Sequence, residues 1–235
     1  MALNNIAFIN YTASGGGAGR ICSILHQAFN DSVLYNKFEH NPLRRIIKID
    51  DLAYRNSVHK ICKSLLGIAL DNRVPWLPRF LSFLTNEISE PFRMIDKYLG
   101  REDFHFPSTQ KPERYFISKP NLVHGHNLFP DYFDLRSLVD LSNKFPLLLT
   151  AHDCWLMTGH CAHPLDCKNF QTGCGNCPDI SIPPAIKRDA TRSNLLRKKS
   201  VFTSSRIYLA TPCNWLKQMF LDSQVGSFFK EIRII

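Results

Sequence analysis

The sequence predicts an α/β protein: a Rossmann-like parallel sheet with helices on both faces and a cysteine-rich loop let into it. Three observations carry this. Short apolar runs alternate with segments of helical periodicity along most of the chain. A cluster of glycines separates the first apolar run from the first helix, and a later apolar run opens directly into a His-Asp-Cys segment. Strands that alternate with helices are the pattern of a parallel sheet, because each parallel neighbour needs a crossover that lies on a sheet face.

In chain order, Asn5 to Asn10 reads as the first strand, and Ser14-Gly15-Gly16-Gly17-Ala18-Gly19 as a glycine turn. Ala18, Ile21, Cys22, Leu25, Ala28 and Phe29 then recur at helical spacing. Asp31 to Tyr35 starts a second short strand, and Asp51 to Gly100 reads as mostly helical, broken around Pro75 and Pro78. Asn121 to Asn127 is a strand, Asp131 to Asn143 a helix and Leu147 to Thr150 a strand. After the cysteine-rich loop, 154–184, come a basic helix from Asp189 to Ser200 and a strand from Arg206 to Thr211. A helix from Asn214 to Asp222 and a strand from Glu231 to Ile235 complete the series.

Composition narrows the class. With 235 residues, 44% of them hydrophobic, the chain can bury a full core. It has no run of about 18 apolar residues of the kind that spans a bilayer. The N-terminus, Met-Ala-Leu-Asn-Asn-Ile, lacks the basic region and cleavage site of a secretory signal, so the expected compartment is the cytoplasm, with thiols reduced. A net charge of +9 points to an anionic partner: a phospholipid surface, a phosphorylated substrate or a nucleic acid.

The segment Thr150 to Pro178 holds five of the eight cysteines and three of the nine histidines. His152 and Asp153 fall at a strand end, where α/β proteins collect ligands, and a histidine there can hydrogen-bond a substrate or move a proton near neutral pH. Cys161, Cys167, Cys174 and Cys177 follow, the last two forming a Cys-x-x-Cys knuckle. Four thiolates can close a tetrahedral structural zinc site. The wide first spacing leaves reduced thiols or disulfides as the alternative. Cys22, Cys62, Cys154 and Cys213 stand apart and read as small core residues. The glycine turn lets backbone N–H groups approach a phosphate, but Arg20 breaks the dinucleotide fingerprint and no Gly-Lys-Ser/Thr follows, so a turn without a ligand is equally compatible.

Several blocks resemble the N-terminal half of bacterial family 4 glycosyltransferases with the GT-B fold, of the polysaccharide-building type. They are Ser-Gly-Gly-Gly-Ala-Gly-Arg at 14–20, Asn-Leu-Val-His-Gly-His-Asn-Leu-Phe at 121–129 and His-Asp-Cys-Trp-Leu-Met-Thr-Gly-His-Cys at 152–161. The Cys-x-x-Cys-Pro at 174–178 and Ala-Thr-Pro-Cys-Asn-Trp-Leu at 210–216 complete the set. The blocks stand in the family's order; Cys213 replaces a serine usual in the family, and 36–118 matches poorly.

The resemblance implies a single acceptor-side domain over 1–235, with the donor-binding domain and its Glu-x7-Glu motif absent. It implies a hexosyltransferase that moves a sugar from a nucleotide-sugar to a growing, lipid-linked lipopolysaccharide or exopolysaccharide, without a catalytic metal, and inactive as this half alone. By analogy Gly15, Gly16 and Gly17 approach the donor diphosphate. His152 and Asp153 serve catalysis, with Asp153 orienting His152 or the acceptor. His124, His126 and Asn127 line the acceptor side, though His126 also reads as an ordinary buried histidine. The basic helix carrying Arg188, Arg192, Arg197, Lys198 and Lys199, with Leu195, Leu196, Val201 and Phe202, suits an anionic inner-membrane surface or simply faces solvent. The apolar segment from Val74 to Phe92 is a second candidate for lipid contact or a buried helix.

Two rival classes stand beside this reading. One is a zinc-containing binding or interaction module without catalysis. A nucleic-acid version of it is disfavoured, because Lys168 is the one basic residue in the cysteine window. The other is a catalytically silent interaction protein, such as an enzyme half that pairs with a separate donor domain. A cysteine nucleophile built on Cys154 and His152 is disfavoured, because no oxyanion motif accompanies it.

Overall fold

A computed structural model of the chain describes residues 5–49, 91–104, 106–128 and 132–235. Seven strands form one sheet: β1 (Ile6–Ile9), β2 (Val33–Asn36), β3 (Ile46–Lys48), β4 (Leu122–Gly125), β5 (Leu147–Thr150), β6 (Ile207–Thr211) and β7 (Glu231–Ile234). All six pairings are parallel and the order is β3-β2-β1-β4-β5-β6-β7. The order runs outward in both directions from the β1–β4 pair. This is the doubly wound arrangement, whose crevice lies at the C-terminal strand ends where the order reverses.

The helices are α1 (Gly16–Ala28), α2 (Pro91–Tyr98), α3 (Ser137–Lys144), the single turn α4 (Asn169–Thr172), α5 (Thr191–Thr203) and α6 (Asn214–Asp222). Side chains alternate across each strand, so β1 feeds two cores. Ile6 and Phe8 pack with Cys22 and Leu25 of α1 and with Phe29 just past its end. Ala7 and Ile9 belong to the larger cluster, which takes in Leu138 and Leu141 of α3, and Leu195 and Phe202 of α5. Both faces are therefore covered, as the continuous apolar strands require.

Three expectations need correction. β3 was not anticipated: it is a three-residue edge strand introduced by a 3-10 turn, Pro42–Arg44, too short to show alternation. α3 starts at Ser137, six residues later than expected, because the Asp134 carboxylate accepts from the Arg136 N–H and holds its guanidinium at 2.8 and 2.6 Å, fixing a turn first. Cys213 is exposed at the start of α6, not in the core, whereas Cys22 and Cys154 are buried as expected. Cys62 and most of Asp51 to Gly100, including Val74 to Glu90, lie outside the described residues; α2 is the helical part that falls within them.

Candidate functional site

The strand register decides which side chains meet at the crevice. Phe8, His124 and Leu148 are direct partners across β1, β4 and β5. They share one face of the sheet, that of α1, and the period of two carries His126 and Thr150 to the same face just beyond. His126 leaves β4 while its N–H still donates to the Ile9 carbonyl at 2.9 Å. The result is a file of three imidazoles. His124 and His126 have ring centroids 4.3 Å apart, and His126 and His152 stack at 5.3 Å.

Each ring has a defined partner. His124 Nε2 bonds Thr150 Oγ1 at 2.8 Å, and His126 Nδ1 bonds His152 Nε2 at 3.0 Å. His126 Nε2 is buried without a partner. Burial pushes the His124 pKa down to about 4 and that of His126 to about 2, with the neighbouring histidines adding repulsion between cations. His152 is half-buried, and desolvation lowers its pKa as well. The file is neutral at pH 7. One N–H is shared between His126 and His152, and His152 is the member that reaches the surface.

Asp153 is placed beside this file, but its carboxylate accepts the Trp155 N–H at 2.9 Å and so starts the 3-10 turn Trp155–Met157. Burial raises its pKa. The hydrogen bond that orients the His152 ring comes from His126. Asn127 is brought to the crevice by its backbone: its N–H donates to Asn10 Oδ1 at 3.0 Å, and Asn10 Nδ2 donates to the Thr12 carbonyl. Asn10 thereby ties the loop after β4 to the glycine turn after β1.

In that turn Thr12 Oγ1 accepts the N–H groups of Ser14 and Gly15 at 3.1 and 2.6 Å. Gly16 has φ +67°, which favours glycine, and a Cβ on Gly16 or Gly17 would meet nothing within 4 Å. The turn is open, and α1 begins there without a side-chain cap. Glu39 also stands at this turn, its carboxylate accepting Ser14 Oγ at 2.8 Å. Asn10, Thr12 and Thr150 escaped the sequence reading. Their signal was position alone, a polar residue at or just past the C-terminal end of an apolar strand.

The four cysteines named from the sequence come together elsewhere. Cys161, Cys167, Cys174 and Cys177 line one cavity of about 20 Å³ with His160, another residue the sequence reading passed over. Cys154 is fully buried, and burial, Asp153 and Cys161 push its thiol up to about 12, the reverse of what a nucleophile needs.

The basic helix is corrected in part. Lys198 is wholly buried, bonding Glu102 at 3.0 Å and the carbonyls of Trp155 and Thr158 at 2.8 and 3.1 Å. Arg197 lies over the Phe104 ring at 4.2 Å, and Arg188, which precedes α5, over Tyr98 at 4.2 Å. Of the five cations, Arg188 and Arg192 are exposed. Leu196, expected as an apolar anchor, is 54% exposed.

Fold and site together define a doubly wound α/β protein with a file of three histidines at its switch point. No protein-family model matches the chain. Over 104 residues it is 31% identical to WcaC of Escherichia coli (strain K12), provisionally named a colanic acid biosynthesis glycosyl transferase. The match covers 41% of this chain and 25% of that relative, so the chain spans only a fraction of the relative's length. Over that stretch the chain is related to a glycosyl transferase.

Proposed function

We propose that this chain is the acceptor-side domain of a glycosyltransferase in polysaccharide biosynthesis. It would transfer a hexosyl group from a nucleotide-sugar to a saccharide acceptor carried on a lipid. The observation that carries the reading is the His126–His152 pair at the switch point, on a chain related to a glycosyl transferase.

A neutral imidazole held by a second, buried imidazole suits sugar hydroxyls, because it can accept or donate a hydrogen bond without bringing a charge. His152 contacts the sugar, His126 sets its tautomer, and Asn127 lies on the acceptor side. The open turn Gly15–Gly17 faces the donor diphosphate, with the free N–H groups at the start of α1 directed toward it. The nucleotide and its sugar are gripped by a donor-binding domain beyond residues 1–235, and the reaction proceeds without a metal in the crevice. Among the described residues no helix is long and apolar enough to cross a membrane. We place the domain at the cytoplasmic membrane face, drawn by its net charge of +9 to anionic lipid.

The test is binding, measured on the 235-residue chain against a panel of lipid-linked saccharides and nucleotide-sugars. The expected result is saturable binding of a lipid-linked saccharide, weakened at least about tenfold in His152→Ala, the worth of one good hydrogen bond to sugar. No sugar transfer is expected from this chain. Turnover by the chain alone would overturn the acceptor-only assignment. Failure to bind any saccharide would overturn the whole reading.

A further inference from the structure

We propose that the connection between β5 and α5 holds a structural zinc ion on Cys161, Cys167, Cys174 and Cys177. The four residues span seventeen positions of sequence, yet all line one cavity together with Thr158, Gly159, His160, Phe170 and Thr191. The cavity measures about 20 Å³, room for one sphere the size of a water molecule. All four thiols are free, none being joined in a disulfide. A soft four-sulfur set around a space for a single atom is the donor chemistry of zinc.

The backbone around the cavity holds the knuckle in place. Cys174, Gly175 and Asn176 take φ of 41°, 103° and 50°, three successive left-handed residues that fold Cys174 and Cys177 back to the same side. The knuckle is fastened to the start of α5: the Gly175 N–H donates to Thr191 Oγ1 at 2.9 Å and the Cys177 N–H to Asp189 Oδ2 at 2.7 Å. From the other side Gly159 touches the same residue, since a Cβ there would lie 2.4 Å from the Thr191 carbonyl oxygen.

His160 is 1% exposed and flanks the site. Its Nδ1 lies 3.0 Å from the Pro184 carbonyl, which can only accept, so this nitrogen carries a proton. Its Nε2 is then directed at Cys177 Sγ, 3.4 Å away. The four sulfurs complete a tetrahedral set without the ring, so the assignment gives the metal to the four thiolates. Among the described residues no three His, Cys, Asp or Glu side chains already stand in coordination geometry. Binding therefore draws the thiol groups inward by side-chain rotation to the Zn–S distance of about 2.3 Å. Each thiol loses its proton as it binds, so metal uptake releases protons and no redox partner is needed. The ion would lock the loop that starts at His152 onto α5; the assignment does not depend on sugar transfer.

The experiment is elemental analysis of the reduced, purified 235-residue chain, before and after incubation with Zn²⁺, followed by replacement with Co²⁺. About one zinc per chain is expected. Cobalt should give thiolate charge-transfer absorption and the intense visible bands of a tetrahedral sulfur site. Cys174→Ser with Cys177→Ser should abolish both, and Cys213→Ser should leave both unchanged. His160→Ala should retain about one metal at saturation, because the ring is not part of the four-sulfur set. A folded chain that stays metal-free with reactive thiols after incubation overturns the proposal, as do intramolecular disulfides or bound iron and sulfide. Loss of the metal at saturating zinc in His160→Ala would overturn the four-thiolate ligand set. Should the double serine variant not fold, the metal content and cobalt spectrum of the parent chain still decide.

Discussion

His126 is 2% exposed and uses one ring nitrogen on His152, while the other has no partner. Such a group stabilises the fold only in its neutral form. In the unfolded chain an imidazole takes up its proton near pH 6.5. In the folded chain His124 resists protonation down to about 4 and His126 down to about 2. The unfolded state thus binds more protons throughout that window. The histidines' contribution is complete above about pH 7 and is lost as pH falls through 6.5, toward 4 for His124 and toward 2 for His126. His126→Phe should keep the ring's volume, remove one titrating group and flatten the decline of the urea midpoint between pH 7 and pH 5. Equal slopes in variant and parent would sink this account. The residues of the file were legible in the sequence, because His-x-His on a strand puts two rings on one face. Their contact with His152 was not, since it depends on the β4–β5 register, which no local pattern encodes. The role of Asp153 was misleading for a related reason: an acid beside a histidine in sequence invites pairing, but backbone direction sends its carboxylate to the Trp155 N–H.

At the scale of elements, α5 acts as an anchor. Lys198 donates to the Glu102 carboxylate and to two carbonyls of the 3-10 turn region, and its Nζ lies 4.0 Å from the Trp155 ring centre. Trp155 Nε1 donates to the same carboxylate at 2.6 Å. Burial raises the Glu102 pKa and lowers that of Lys198, and each partner's charge opposes the shift of the other. Removing one member leaves a buried charge alone. Lys198→Met should therefore destabilise the chain by roughly 3–5 kcal/mol, whereas Lys198→Met with Glu102→Leu should recover most of the loss. Denaturant midpoints of the two variants check this, and a double variant as unstable as the single one would refute the pairing. This anchor could not be read beforehand, because Arg-Lys-Lys on a helix looks like a solvated face. Strand β5 and helix α6 kept their expected bounds, since their apolar periods end at Thr150 and Asp222 with no competing signal. α5 instead starts two residues late, where Asp189 Oδ1 accepts the Thr191 N–H.

For the whole molecule, the inward turn of Lys198 and the stacking of Arg197 change where the positive charge can act. The excess of +9 is real, but α5 does not present it as a stripe. With Lys198 buried and Arg197 over Phe104, the helix lacks the continuous cationic face that an amphipathic membrane helix needs. Attraction to an anionic surface must then come from dispersed cations such as Lys187, Arg188 and Arg192, all exposed ahead of or within the first turn of α5. Charges spread in this way act through the solvent and are screened over about 8 Å at physiological salt. The chain should float with vesicles rich in anionic lipid at low salt, release as salt rises toward physiological strength, and ignore neutral vesicles. Arg192→Glu should weaken flotation modestly, because one cation near such a surface is worth about 1 kcal/mol, and Lys198→Met, compared under conditions where it remains folded, should not weaken it further. Equal binding to anionic and neutral vesicles would instead locate the lipid contact in an apolar surface and remove charge from the account of how the chain meets a membrane.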